Sequence, residues 1–302
     1  MRNNSVFSIG PAPEAGFTLV EMSIVLVIIG LVVGGILTGG ELIGAAAVRA
    51  QISQIEKYNT AVQAFDLKYG SLPGDMPSNL ASQFGFTARA GTQGRGDGNG
   101  LIEGYCYTCS GNVANGDYID YEGGELTFFW EDLSQAGLIR PFFNTATDAL
   151  VNISGGGSVI TSSTTPSLKS WIPEADIGNG NFVYLYVLNK KDYYGLSAVT
   201  GIANWGSVTS TPGLAVTQAF MIDKKMDDGY PQTGQVLAEY IPNQWPDWAA
   251  GGGASGAPNT AATPGSATTC YDNGNTNGAM QQYSVGQNGG NGRNCALSFA
   301  LQ

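Results

Sequence analysis

Glu21 is the only carboxylate in the apolar run G-F-T-L-V-E-M-S-I-V-L-V-I-I-G-L-V-V-G-G-I-L, residues 16–37. An ionised carboxylate in hydrocarbon costs about 2.5–3.5 kcal/mol or more, so it calls for a partner. The expected partner is an amino group at Phe17, exposed by a cut after Gly16. As a helix, Phe17 to Leu37 would be about 30 Å long, the thickness of a bilayer core. A secretory signal with its A-x-A site at Ala45-Ala46-Ala47 is the rival. It fits less well, because the n-region is nearly uncharged and Glu21 interrupts the apolar core.

Other side chains could hold a metal or form a bond. In G-R-G-D-G-N-G-L-I-E, residues 94–103, Asp97, Asn99 and Glu103 could offer oxygens to Ca²⁺, like the start of an EF-hand-type loop. The same run is ordinary turn chemistry. Asp223, Asp227 and Asp228 crowd the end of a helical pattern, where the dipole disfavours negative charge. A bound cation or pairing with Lys224 and Lys225 could offset this, and solvated charges are the simpler account. Four cysteines follow an export signal: Cys106, Cys109, Cys270 and Cys295. They allow three pairings. Cys106 with Cys109 and Cys270 with Cys295 is the expected one. The second pair would close a Gly/Asn/Ser loop that cannot order itself by burial. A zinc site or thiol-redox chemistry is the alternative, but the distant pair is not C-x-x-C and no thioredoxin-like βαβ pattern is present.

An enzyme is not expected. The chain has no histidine, which removes His-based acid–base chemistry and the usual zinc hydrolase sites. No nucleophile elbow or phosphate-binding loop occurs. Carboxylate pairs such as Asp117/Asp120 and Glu131/Asp132 are what any acidic chain of this size carries. A net charge of −11 with no basic cluster argues against nucleic acid as a partner.

Gly16-Phe17-Thr18-Leu19-Val20-Glu21 and the apolar run after it resemble the N-terminal signal of the type IV pilin and type II secretion pseudopilin superfamily. The resemblance implies that a prepilin peptidase cuts after Gly16 and methylates Phe17. It implies that Glu21 pairs with a neighbouring subunit's N-terminus during filament assembly. It places the precursor in the bacterial inner membrane with its head in the periplasm. Its partners would be other pilin or pseudopilin subunits, the peptidase, an inner-membrane assembly platform and, before assembly, lipid. The leader departs from the family pattern by ending Glu14-Ala15-Gly16, without a basic residue before the glycine. Lys68-Tyr69-Gly70-Ser71-Leu72-Pro73-Gly74-Asp75 resembles the K-Y-G-x-L-P-x-D stretch that follows the helix in pseudopilin-like proteins. Several secretion pseudopilins hold calcium near their C-terminal regions, and the C-terminal cysteine pair resembles a pilin disulfide loop by position. The large head favours a pseudopilin or minor pilin over a major one. A membrane-anchored module that binds glycan or surface ligands through Trp205, Trp245 and Trp248 is the alternative.

The expected architecture is α+β: a leader at 1–16, a helix over 17–69, and a head over 70–302. The helix should bury Ile52, Ile55, Tyr58, Val62 and Phe65, with Arg49, Gln51, Gln54, Lys57 and Gln63 on its other faces. Gly30/Gly34 and Gly35/Gly39 fit close packing through small residues, or a segment able to unwind. A helix over 125–138 should turn Leu126, Phe129, Trp130, Leu133 and Ala136 inward. Another over 214–228 should turn in Ala215, Ala219, Ile222 and Met226. Strands are expected over 182–188, buried on both faces, and over 193–199, with a final edge strand over 296–301. The sheet should be antiparallel and pack on the long helix.

Overall fold

A computed structural model describes residues 16, 18–105, 123–148, 160–164, 167–203, 207–243, 245–249, 269–273, 278–286 and 290–302. The chain divides into two compact units, one up to Ala46 and one from Ala47 to Gln302. Helix α1 spans Leu19–Tyr69. In the first unit its apolar side chains, Leu26, Leu31 and Ile36 among them, are exposed. By length and composition this stretch can cross a membrane.

In the second unit the pattern becomes one-sided. Val48, Ile55, Tyr58, Val62 and Phe65 recur at helical spacing and are buried, while Ile52 is half-buried. Gln51 and Gln54 correct the expectation, because both are buried rather than solvent-facing. Both bond to backbone far along the chain, Gln54 through both ends of its amide and Gln51 through its oxygen. Gln54 Nε2 donates to the Glu174 carbonyl at 2.7 Å, and its Oε1 accepts from Asp176 N at 3.0 Å. Gln51 Oε1 accepts from Ile177 N at 3.1 Å. A buried amide is tolerated when such bonds replace water.

Gly70 closes α1, its N–H bonded to the Asp66 carbonyl at 2.7 Å. The next turn is fastened to a second helix. Gly74 has φ +88°, and a Cβ there would strike the Glu125 carbonyl, so only glycine permits the approach. Its N–H donates to Asp132 Oδ2 at 2.8 Å and its carbonyl accepts from Arg89 Nη1 at 3.2 Å. Arg89 and Asp132 form a bidentate pair at 2.7 and 3.0 Å, with both side chains fully buried. The Arg89 guanidinium also lies 4.4 Å from the Phe128 ring centroid. Between these points runs the short α2, Ser78–Phe84, ended by Gly85 in the left-handed region.

Helix α3, Glu125–Gln135, is buried from Glu125 to Ser134 on every face, not along one stripe. Ala136, expected inward, is the half-buried C-cap. Trp130 packs edge-on against Tyr58 of α1 with ring centroids 5.0 Å apart.

The strands are β1 Asn181–Leu188, β2 Lys191–Ile202, β3 Val208–Thr211, β4 Val236–Leu237, β5 Glu239–Asn243, β6 Trp245–Trp248, β7 Tyr271–Asp272, β8 Gln282–Tyr283 and β9 Leu297–Ala300. β1 and β2 form a hairpin whose two loop residues, Asn189 and Lys190, both have positive φ, as a type I′ turn requires. β1 is buried along almost its whole length, as a strand covered on both faces should be. β1, β2, β3, β4, β5, β6 and β9 make one seven-stranded sheet with antiparallel pairs, and β7 pairs with β8 separately. Tyr194 of β2 lies 6.1 Å from Tyr58, so the sheet packs on α1 as expected. The fold is therefore α+β.

The final strand corrects the expectation. β9 is not an edge, since β2 and β4 flank it and all four of its residues are buried. Ser298 is buried in it, and its hydroxyl donates to the Glu239 carbonyl at 2.8 Å. Helix α4, Val216–Met226, buries Val216, Ala219, Ile222 and Asp223. Ala215 is its half-buried N-cap, and Met226, half-buried at its end, packs against the core as expected. Cys270 and Cys295 are joined by a disulfide, as expected. Cys106 and Cys109 lie outside the described residues.

Asp132→Ala leaves the Arg89 guanidinium buried without its carboxylate and should destabilise the head by about 3–5 kcal/mol. Denaturant unfolding of the full chain in detergent measures this. A loss within the range of a surface substitution would contradict the pair's role.

Candidate functional site

Glu21 sits on the first turn of α1. Its Oε2 accepts from Thr18 N at 2.8 Å and from Thr18 Oγ1 at 2.9 Å, and Thr18 Oγ1 in turn accepts from Glu21 N at 3.2 Å. This reciprocal arrangement is a capping box, T-x-x-E, which satisfies helix N-terminal donors that have no partner of their own in the helix. Thr18-Leu19-Val20-Glu21 spells it in the sequence, and the expectation above missed it. Glu21 therefore has a local partner as well as its favourable position at the positive end of the helix dipole. Gly16 has no atom near the position a Cβ would take, and Phe17 lies outside the described residues.

Residues 12–37 match the family model described as the prokaryotic N-terminal methylation motif. The chain carries a prepilin-type N-terminus. Over these residues it is similar to pilin-like precursors, and α1 is long and apolar enough to cross a membrane. No curated protein and no solved structure matches it.

Among the described residues of the second unit, carboxylates gather in two places. Asp75, Asp97 and Glu125 place oxygens within 4.8 Å of one another. The loop after Gly94 is wound around them. Asp75 accepts from Gly98 N and Gly100 N, each at 2.7 Å. Glu125 accepts from Gly96 N and Glu103 N, each at 2.8 Å. Asp192 of β2 accepts from Ile102 N at 3.1 Å. Asn99 turns its amide nitrogen toward Asp97 and Glu103, at 3.2 and 3.1 Å, and its oxygen toward Leu101 N at 2.8 Å. An all-oxygen donor set of this kind suits a hard cation such as Ca²⁺. The converging oxygens are those of Asp75, Asp97 and Glu125, so Asp75 and Glu125 are the residues that spacing along the loop did not reveal.

Asp223, Asp227 and Asp228 also bring oxygens within 4.8 Å of one another. Each already has donors. Asp223 accepts from Gly229 N at 2.9 Å and Tyr283 Oη at 2.7 Å. Asp227 accepts from Gln235 N and Val236 N, and Asp228 from Tyr230 N and Thr233 Oγ1. These bonds hold the turn from α4 into β4, which accounts for acids at a helix C-terminus where the dipole opposes them. Among the described residues neither Lys224 nor Lys225 pairs with them. Trp245 is half-exposed and Trp248 half-buried, while Trp205, Asp117 and Asp120 lie outside the described residues.

Burial raises Asp75, Glu125, Asp192 and Asp223. It pushes Asp75 and Asp192 up to about 7, with neighbouring carboxylates adding to the effect, and it raises Glu125 well above its usual range. Burial likewise pushes Asp223 up to about 7. A raised folded-state pKa means that the folded head holds protons that the unfolded chain releases above about pH 4. Stability from these groups is full below that pH and is lost as pH rises toward about 7. The melting midpoint should therefore fall by several degrees between about pH 5 and about pH 7.5. A midpoint that rises across this window would mean that the acids ionise against a partner favouring charge. Melting at about pH 7.5 with calcium or with chelator tests the calcium expectation. An unchanged midpoint removes it at both loops.

Proposed function

We propose that this chain is a structural subunit of a pilin-like filament, cut between Gly16 and Phe17 by a prepilin peptidase, methylated on Phe17 and polymerised through α1. The observation that carries this reading is Glu21. It stands at the head of a bilayer-length apolar helix whose side chains are exposed, within the matched motif. Exposed apolar surface on that scale needs lipid or other apolar helices around it. A single-pass precursor in the inner membrane, passed to an assembly platform, meets that need first with lipid and then with neighbouring subunits. A carboxylate one turn from the cut can accept the new ammonium of an adjacent copy as a charge-assisted hydrogen bond. The large periplasmic head favours a secretion pseudopilin or a minor pilin.

Mass spectrometry of the mature terminus reads the first step, and a methylated Phe17 is the expected result. A chain starting at Val48 would instead make the segment an ordinary secretory signal. Glu21→Leu should leave membrane insertion intact and abolish incorporation into filaments, read by shearing and immunoblotting. Normal incorporation would remove the assembly role of Glu21.

A further inference from the structure

One carboxylate of the sheet is left out of the loop-holding networks. Glu239, at the start of β5, is 6% exposed and lines a cavity of about 460 Å³ together with Leu188, Trp245 and Pro246. Its hydrogen bonding is thin. The Ser298 hydroxyl proton goes to the Glu239 main-chain carbonyl at 2.8 Å, so Ser298 Oγ is free to accept the Tyr186 hydroxyl proton, also at 2.8 Å. Tyr186 Oη is 3.4 Å from Glu239 Oε2, and its one proton is already better placed elsewhere. Among the described residues nothing donates to Oε1. Glu239 lines the cavity with no close donor of its own among the described residues, so solvent or a ligand supplies one there, and a carboxylate bonds most strongly to a donor that carries positive charge.

The chain's own cation on β2 does not supply one. Lys191 Nζ bonds Gln235 Oε1 at 3.2 Å and lies 5.6 Å from the Tyr193 ring centroid. The rest of the cavity wall is apolar, and Trp245, 48% exposed, offers an indole face. Asp247, opposite Tyr240 in the β5–β6 ladder, adds negative charge that acts on Glu239. Two acids favour a cation over a neutral donor, and an aromatic face attracts a cation as well.

We propose that this cavity binds a primary alkylammonium group of the lysine side-chain type, with the ammonium on Glu239 and the alkyl stem against Trp245, Leu188 and Pro246. The site lies in the head and does not depend on how the N-terminus is processed.

The test is titration of the full chain in detergent with Nα-acetyl-lysinamide, read by the Trp245 indole N–H resonance, which is assigned by its loss in Trp245→Phe. The control ligand is Nα-acetyl-norleucinamide, which keeps the stem and lacks the charge. A saturable shift with the lysine ligand is expected, at least about tenfold weaker in Glu239→Gln and absent with norleucine. Equal saturation by both ligands would make the cavity merely apolar. No saturable shift with the lysine ligand, or an unchanged affinity in a folded Glu239→Gln, would overturn the site. If Glu239→Gln fails to fold, the comparison of the two ligands on the unaltered chain decides alone.

Discussion

Arg89 and Asp132 meet out of reach of solvent, and the order of the head depends on that contact. A buried ion pair adds little net stability compared with an apolar pair of the same size, because desolvation offsets the attraction. Its effect here is on geometry. The guanidinium and carboxylate together take both the N–H and the carbonyl of Gly74, the residue through which the chain turns after α1. That fixes the turn against α3 at a distance only a glycine allows. Trp130, two residues before Asp132 on α3, packs on Tyr58, and Tyr58 on Tyr194 of the sheet. Helix, helix and sheet share one core through a contact between polar groups.

The same turn sets the position of Asp75, and Asp75 sets the loop that follows. Residues 96–103 have little apolar content to hold them down, and Ile102 alone among them is a core residue. They are held by backbone donors directed at Asp75, Glu125 and Asp192. Hydrogen bonds to charged groups contribute about 1.5–3 kcal/mol each, comparable with the penalty for burying the acid. Desolvation, with neighbouring carboxylates adding to it, pushes all three acids upward against the pull of these donors. The loop is well specified in shape and weakly favoured in energy, and its protonation belongs to its fold. The acidity of the chain is thus partly internal. Several of its carboxylates are turned inward onto backbone N–H groups, and a net charge read from the sequence overstates what a partner would meet.

Sequence periodicity made α1 legible because its apolar pattern is long, first uniform and then one-sided. The stop at Leu72-Pro73-Gly74 and the pair Cys270–Cys295 were legible for local reasons: turn chemistry in one case, a loop without apolar content in the other. Gln51 and Gln54 were not, because a glutamine on a helix gives no sign that its amide will meet backbone 120 residues or more away. Arg89 and Asp132 were hidden in the same way, 43 residues apart with no motif between them. The inner place of β9 was not legible, because a short apolar strand at the end of a sequence carries no sign of the strands that will flank it. The Thr18–Glu21 box was fully written in the sequence; attention to the distant partner of Glu21 obscured the near one.

Glu21 and Asp132 show what separates a carboxylate that can change partners from one that cannot. Asp132 is bound to groups from two distant segments, Gly74 and Arg89, and releasing it leaves a buried guanidinium and an open turn. Glu21 is bound to Thr18 alone, three residues away and exposed. Giving up that bond exposes a helix terminus that water, or a new donor, can satisfy at once. A charge-assisted bond to an ammonium in a medium that excludes water is stronger than capping bonds exposed to solvent. An acid held this lightly at the front of an apolar helix can wait in one bonding state and move to another without disturbing the fold behind it.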